Sequence, residues 1–334
     1  MNKPFRRIPA IVLLCLLAFS ASGKAQPPPA PAHESTPASA LAKCLKKRGY
    51  AEVPLTLNKT GLLDVKEEVE GISALLVVDT GCNNVNLDRS IAQRAKLEVK
   101  EIGKKTAALG DTVATGQAKI AKLAVGELSS PGETFVVDFA HINALRKDHG
   151  DPPCEGLLGG SFLMYYSAVI DYAHLKLYLL EPDKRAKNLA KPLEKAGFME
   201  VPLEFNKCGQ FDVKVEVNGN AMLLCIDTGT TANGSLDNLA AQRAKLDIKK
   251  GDTKFFGAGG SQLSQTAKIE RFTIRPLTGP LDVWVQDYSA NNRSRKADGA
   301  PDCDGMLGGA FFAKHSAIID YGRRKLYMFD LATK

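Results

Sequence analysis

The sequence has few of the features that mark metal-binding, nucleic-acid-binding or membrane-spanning proteins. It contains one tryptophan and five histidines, and the histidines are scattered along the chain. No Cys-x-x-Cys pair is present, so no zinc ligand set is predicted. No run after the N-terminal region approaches the roughly 20 apolar residues of a transmembrane helix. The basic cluster at 43–48 has no interleaved aromatics and is typical of a solvated helix face. Metal, cofactor and nucleic acid are therefore not predicted.

The N-terminal region indicates export. Residues 1–23 combine three basic residues, an apolar run and small residues, which is the pattern of a secretory signal peptide. Residues 24–44 are rich in Pro, Ala and Ser, which predicts a disordered tether. Loss of the signal would lower the formal charge of +7 to about +4, because it removes three positive charges. We expect an exported protein, periplasmic or secreted, without stable membrane insertion; a retained N-terminal anchor is the alternative.

The rest of the chain is an internal duplication. Segment 45–55 returns at 193–203, and segment 75–81 returns at 223–229, both shifted by 148 positions. After one inserted residue, three further segments return with a shift of 149: 92–97, 156–160 and 168–172. The repeat predicts two domains of one fold, at 45–181 and 193–331, joined by a charged, Pro-containing linker.

Each copy has the pattern of a β-rich domain, so the predicted fold class is all-β. Strands are expected in the first copy at 62–70, 75–78, 120–125, 134–137, 168–172 and 175–179, with counterparts in the second. Short helices are expected at 88–96 and 237–245, where an Asp can cap the first turn, and at 161–165 and 310–314 after each Gly-Gly pair.

One acidic motif occurs in the same context in both copies. Asp79-Thr80-Gly81 and Asp227-Thr228-Gly229 each follow a buried apolar run, and an apolar pair with Gly-Gly comes later. This placement puts a carboxylate at the edge of a core, where glycine allows a tight turn. A single acid of this kind could simply cap a turn, but the recurrence favours two carboxylates that act together.

On these motifs both copies resemble the retropepsin and pepsin superfamily of aspartic peptidases. The Asp-Thr-Gly triplets match the catalytic loops, and 157–159 and 306–308 match the apolar-apolar-Gly element of the psi-shaped motif. The resemblance implies two retropepsin-like β-barrel lobes related by a pseudo-twofold axis. It also implies that each lobe gives one catalytic aspartate, so that one chain forms a monomeric pseudo-dimer, with compact lobes similar to those of bacterial retropepsin-like proteases.

The implied activity is that of an aspartic endopeptidase acting on a peptide or protein substrate. Two carboxylates about 3 Å apart cannot both ionise, so Asp79 and Asp227 would share one proton. The ionised partner takes a proton from water, that water attacks the scissile carbonyl, and the protonated partner stabilises the oxyanion.

The resemblance also implies roles for the neighbours of the aspartates. Thr80 and Thr228 should hydrogen-bond across the two loops, and Gly81 and Gly229 should leave room for substrate backbone. Thr230 follows the second triplet, where relatives carry Ser, Thr or Ala.

A glycine-containing hairpin, the flap, covers the cleft in this superfamily. Gly110 and Asp111 in the first copy, and Gly259 and Gly260 in the second, lie at the matching places. An ordinary hairpin turn is the alternative interpretation of these segments.

Cys82 departs from the superfamily pattern, because it occupies the position after the first triplet. A thiol is a weaker donor than a hydroxyl, so Asp79 would lose a stabilising contact. Six cysteines follow the predicted signal, an even number in an oxidising compartment, so disulfides are expected. Fifteen pairings are possible, and one set is Cys82 with Cys154, Cys225 with Cys303 and Cys44 with Cys208.

Three hypotheses on function follow from the sequence. The first is a monomeric, two-lobed aspartic endopeptidase. The second is a catalytically weak or inactive peptide-binding protein of the same fold, which Cys82 favours. The third is an enzyme whose copies pair with those of another chain. A Cys82/His thiol peptidase is not favoured, because it leaves the repeated acidic motif unexplained.

Overall fold

A computed structural model describes residues 38–106, 112–186, 188–257 and 260–329. The protein is mostly β-structure, as the sequence predicts. The strands of the first half are β1 (Ala51–Pro54), β2 (Thr56–Leu57), β3 (Leu63–Val69), β4 (Ile72–Val78), β5 (Asn86–Asp88), β6 (Lys100–Thr106), β7 (Thr112–Val125), β8 (Leu128–Val137), β9 (Gly156–Leu158), β10 (Val169–Asp171) and β11 (Lys176–Leu179). Those of the second half are β12 (Phe198–Pro202), β13 (Glu204–Phe205), β14 (Phe211–Val217), β15 (Asn220–Asp227), β16 (Gly234–Asp237), β17 (Lys249–Gly257), β18 (Gly260–Ile274), β19 (Leu277–Gln286), β20 (Gly305–Gly308), β21 (Ile318–Asp320) and β22 (Lys325–Phe329).

The two halves fold into lobes with the same sheet topology. The sheet of the first lobe has the order β2-β3-β4-β9-β5-β8-β7-β6, and β3 also pairs with β7. The sheet of the second lobe has the order β13-β14-β15-β20-β16-β19-β18-β17, and β14 also pairs with β18. The additional pairing closes six strands of each sheet into a barrel. The all-β, two-lobed fold predicted from the duplication is therefore confirmed.

Short helices connect the strands. They are α1 (Ala38–Lys47), α2 (Arg89–Arg94), α3 (Ala140–Asp148), α4 (Gly160–Tyr165), α5 (Ala190–Lys195), α6 (Asn238–Arg243), α7 (Ser289–Ala297) and α8 (Gly309–Lys314). The predicted caps of α2 and α6 are present: Asp88 accepts a hydrogen bond from the Ser90 N–H at 2.8 Å, and Asp237 accepts one from the Leu239 N–H at 2.9 Å. Within the described residues, no helix combines the length and apolar character needed to cross a bilayer.

A third sheet joins the lobes. Its order is β1-β11-β10-β21-β22-β12, and the central pairing of β10 with β21 is antiparallel, with Ile170 opposite Ile319. Each lobe contributes three strands, so the sheet repeats the internal symmetry. Leu41 and Leu45 of α1, together with Leu193 of α5, pack in an apolar cluster with residues of this sheet.

The position of α1 corrects one predicted boundary. The tether predicted at 24–44 overlaps α1, in which Leu41 is 2% exposed and Leu45 is fully buried. These two leucines lie one helical turn apart, so one face of a short helix reaches the core. The folded part therefore begins earlier than the composition indicated.

A glutamate on β3 interrupts the apolar core of the first barrel. Val65 and Val69 point into this core, as does Val215 on the equivalent strand of the second lobe. Glu67 occupies the inward position between the two valines and is 3% exposed. Among the described residues, neither of its carboxyl oxygens has a hydrogen-bond partner, and burial raises the pKa of Glu67 well above its ordinary value. The second lobe has Val215 in the place of this glutamate.

The expected disulfides are not formed. The six cysteines of the described chain are free thiols, so the three suggested pairings are wrong for this structure. Cys82 donates to the Asn84 carbonyl at 3.2 Å, and Cys154 donates to the Gly156 carbonyl at 3.0 Å. These thiols act as small buried side chains with local backbone acceptors.

Candidate active site

The two aspartates lie where a buried strand leaves each barrel. Asp79 follows β4, and its N–H donates to the Leu158 carbonyl of β9 at 3.1 Å. Asp227 is the last residue of β15, where it lies opposite Gly308 of β20 in parallel register. Asp79 is fully buried and Asp227 is 1% exposed. The equivalent strands of the two lobes thus deliver one carboxyl each to the interface between them.

The two carboxyls interact directly. Burial raises the pKa of Asp227 well above its ordinary value, the negative charge of Asp79 raises it further, and a hydrogen bond between the carboxyls acts in the same direction. The Gly229 N–H donates to Asp227 Oδ1 at 2.8 Å, which opposes this shift in part. The Cys82 N–H donates to Asp79 Oδ1 at 3.0 Å. Two carboxyls that interact in this way share a proton and titrate as a pair.

The glycines of the triplets make the contact between the carboxyls possible. A Cβ atom added to Gly81 would lie 2.5 Å from Cγ of Asp227, and one added to Gly229 would lie 2.5 Å from Cγ of Asp79. Any side chain at either position would displace the opposite carboxyl. The structure thus gives the space next to each glycine to the other lobe's aspartate, whereas the resemblance led us to expect substrate backbone there.

The threonines of the triplets tie the two loops together in a symmetric arrangement. The Thr80 hydroxyl donates to the Ile226 carbonyl at 3.0 Å and accepts from the Thr228 N–H at 3.0 Å. The Thr228 hydroxyl donates to the Val78 carbonyl at 2.6 Å and accepts from the Thr80 N–H at 3.1 Å. Both side chains are buried, so four interlobe hydrogen bonds form away from solvent directly beside the aspartates.

Cys82 and Thr230 occupy equivalent places after the triplets. The Cys82 carbonyl accepts from the Gly160 N–H at 2.7 Å, and the Thr230 carbonyl accepts from the Gly309 N–H at 2.8 Å. The Cys82 thiol points to Asn84, and its sulfur also accepts from Asn86 Nδ2 at 2.6 Å. Asp79 therefore accepts a hydrogen bond from the backbone N–H of Cys82. The Cys82 thiol contacts Asn84 and Asn86 instead.

The flap candidates are only partly described. Gly110, Asp111 and Gly259 lie outside the described residues. Gly260 begins β18 and pairs with Gly257 at the end of β17. The hairpins β6–β7 and β17–β18 lie at the corresponding places in the two lobes.

Sequence reasoning missed several residues close to the dyad. Tyr172 is buried, and burial, followed by the charges of Asp227 and Asp79, raises its pKa well above the ordinary value. Gln210 reaches across the interface to the backbone of Gly81. Tyr172 lies in a repeated segment, but that segment served only to align the two copies.

A groove lies beside the loop that follows the second Asp-Thr-Gly triplet. Its lining includes Thr231 and Asn233 of that loop, together with Trp284 and several charged side chains. The charged residues include Lys249, Lys268, Glu270 and Asp282. The groove thus offers a mixed polar and aromatic surface a few residues beyond the second Asp-Thr-Gly triplet in the chain.

Comparison with known proteins gives one family match. The family model described as aspartyl protease matches residues 213–311, which run from β14 to α8 and include Asp227. No curated protein matches the sequence significantly. Among solved structures, basic 7S globulin from soybean is similar, with 11% identity, a TM-score of 0.41 and coverage of 84% of this chain and 94% of that chain; this likeness is too weak to bear on function. The resemblance to aspartyl proteases is thus confirmed by the family match in the second lobe.

Proposed function

We propose that the protein is an aspartic endopeptidase whose catalytic pair is Asp79 and Asp227. The main support is the position of the two carboxyls, which face each other at the lobe interface and are held there by the four threonine hydrogen bonds. The family match to aspartyl proteases supports the same conclusion for the second lobe.

The chemistry follows from a shared proton. The two carboxyls share one proton, and we assign it to Asp227, whose pKa is raised by burial and by Asp79, with Asp79 as the ionised partner. Asp79 then removes a proton from a water molecule placed between the carboxyls, and that water attacks the scissile carbonyl. Asp227 donates its hydrogen bond to the developing oxyanion. Both steps need one protonated and one ionised carboxyl. When the tetrahedral intermediate collapses, the C–N bond breaks and the proton that Asp79 took from water passes to the leaving amine.

We infer that substrate peptides lie across the interface and extend into the groove beside the second loop. Its polar and aromatic walls suit an extended chain with mixed side chains. The predicted signal peptide favours substrates outside the cytoplasm, in the periplasm or the medium.

We also infer that the dyad forms within one chain. The threonine bonds and the β10–β21 pairing both join the two lobes of the same molecule. This arrangement supports a monomer, in which the duplication replaces the second subunit of a homodimer.

A peptide-binding protein without efficient catalysis is the second candidate. The observation in its favour is Cys82, whose thiol bonds to Asn84 and Asn86 and gives Asp79 no side-chain hydrogen bond.

The test is cleavage of a diverse peptide library between about pH 3 and pH 8, with and without pepstatin. Asp79→Asn and Asp227→Asn should each abolish cleavage, and Asp183→Asn should retain it, because Asp183 is exposed and lies outside the interface. Unchanged turnover in Asp227→Asn would contradict the proposal. Folded wild-type protein that binds peptides but cleaves none would favour the second candidate.

A further inference from the structure

Gln210 lies where the second lobe touches the first catalytic loop. It directly precedes β14, is 3% exposed, and its Nε2 donates a hydrogen bond to the carbonyl oxygen of Gly81. Gly81 belongs to the first Asp-Thr-Gly triplet, so this bond joins the lobes at the dyad itself. The Gln210 bond is separate from the four threonine bonds, which join residues 78 and 80 of the first lobe to residues 226 and 228 of the second.

The other end of the Gln210 side chain is held by a buried ion pair. Its Oε1 accepts a hydrogen bond from Arg295 Nη1 at 3.2 Å, while Arg295 Nη2 donates to Asp212 Oδ2 at 2.7 Å. Arg295 Nε donates to the Pro301 carbonyl at 2.8 Å, which fixes the plane of the guanidinium group. Gln210 therefore has a bonded partner at both ends of its amide and a single defined orientation.

The first lobe lacks this arrangement at the equivalent positions. Leu62 stands where the second lobe has Gln210, and Arg146 directs both Nη atoms to Asp64, at 3.1 and 2.7 Å. In the second lobe only Nη2 of Arg295 donates to the carboxylate of Asp212, and Nη1 donates to Gln210 instead. As a result, Asp212 Oδ1 has no hydrogen-bond partner among the described residues. The second lobe thus leaves a buried carboxylate oxygen unpaired while it anchors Gln210.

The bond acts on the peptide unit that contacts Asp79. The Gly81 carbonyl and the Cys82 N–H belong to the same planar peptide group, and that N–H donates to Asp79 Oδ1 at 3.0 Å. A donor on the carbonyl fixes the plane and polarises the group, so the N–H becomes a stronger donor to the carboxylate. This matters at Asp79 because the adjacent thiol bonds to Asn84 instead.

We propose that Gln210 is a positioning residue that holds the 81–82 peptide against Asp79, and so keeps Asp79 as the charged member of the pair. The proposal rests on the proposed function, since it assigns the proton-accepting role in that reaction. Gln210 acts through the peptide group and takes no part in the chemistry itself.

The test compares Gln210→Leu, which introduces the residue of the first lobe, with Gln210→Glu, which keeps the acceptor for Arg295 and, once its carboxyl is ionised, lacks the donor to Gly81. Gln242→Leu on the exposed face of α6 is the matched control. Both Gln210 variants should lower kcat by about tenfold, as expected for loss of one buried hydrogen bond, with KM nearly unchanged. The acidic limb of the pH–rate profile should move to higher pH, because Asp79 is less stabilised as a carboxylate.

Two measurements do not depend on activity. Amide hydrogen exchange at Cys82 should be faster in both Gln210 variants than in Gln242→Leu, and NMR titration of the Asp79 carboxyl carbon should move to higher pH. If wild-type protein cleaves no peptide, the proposed function fails, and these two measurements still decide the role of Gln210. Unchanged exchange and an unchanged titration in both Gln210 variants would overturn it, as would a lower stability accompanied by the wild-type pH profile.

Discussion

At the scale of single residues, the threonine bonds are the most direct test of how the lobes are held. Thr80→Val keeps the shape of the side chain but leaves the Thr228 N–H and the Ile226 carbonyl without their partner. Loss of these two buried bonds should lower the free energy of unfolding by about 2–4 kcal/mol. Thr80→Ser, which keeps the hydroxyl, is the control, and denaturant unfolding is the measurement. Equal stability of the valine and serine variants would show that the bonds contribute little.

The raised pKa of Asp227 makes stability depend on pH. A carboxyl whose folded-state pKa is raised keeps its proton at pH values where the unfolded chain has lost it, so stability falls as pH rises above about 4. Asp227→Asn should remove this loss of stability at higher pH, because the amide stays neutral and its oxygen can still accept a hydrogen bond from the Gly229 N–H.

We therefore expect Asp227→Asn to be inactive but more stable than wild type near pH 8, by about 1–2 kcal/mol, with a smaller difference near pH 4. Thermal or urea unfolding at both pH values measures the effect, and Asp183→Asn serves as the exposed control. A variant that is less stable than wild type at both pH values would contradict this explanation.

At the scale of secondary-structure elements, β3 carries a buried carboxyl group at a position where its counterpart β14 has a valine. Glu67→Val copies Val215 of the second lobe and removes a carboxyl that has no hydrogen-bond partner among the described residues. The substitution should raise the free energy of unfolding at neutral pH by about 1–3 kcal/mol. The gain should shrink toward acidic pH, where Glu67 is protonated in both states.

The control for this prediction is Glu68→Val, which changes the exposed neighbour on the same strand. It should leave stability near that of wild type. A loss of stability in Glu67→Val would show that the glutamate has a structural role in the barrel.

The elements that the sequence predicted are those with a local signal. Strands β3 and β14 alternate apolar and polar residues, and α2 and α6 begin with a capping Asp. Helix α7 was missed because its buried side is polar, with Asn291, Ser294 and Arg295, so no apolar periodicity marks it. The lobe-joining sheet was also missed, since its short strands find partners far apart in the sequence.

At the scale of the whole molecule, the position of the two aspartates predicts that one chain forms the complete site. If Asp79 and Asp227 of one chain form the site, a mixture of Asp79→Asn and Asp227→Asn proteins should regain no activity. Pairing between chains would instead restore wild-type sites, because each variant keeps one intact aspartate. Peptide cleavage by the mixture, after joint refolding, distinguishes the two, and light scattering should give the mass of one chain, 35.9 kDa before any signal is removed.

The sequence predicted the site residues that the two copies share, but not those at which the copies differ. Asp79 and Asp227 stood out because the triplet repeats in the same context. Gln210 gave no such signal, because a single glutamine before a strand forms no motif. The role proposed for Gln210 depends on its contact with Gly81, which lies 129 positions away in the chain. The alignment of the two copies showed only that Leu62 stands in place of Gln210 in the first lobe.

The covalent duplication has a consequence for inheritance. In a homodimer every mutation appears on both sides of the axis, so both aspartates change together. Here the two halves mutate independently, and the pairs Gln210 and Leu62, or Cys82 and Thr230, show that they have diverged around the dyad. One gene can therefore make its two carboxyls unequal, and which of them carries the proton becomes a trait on which selection can act.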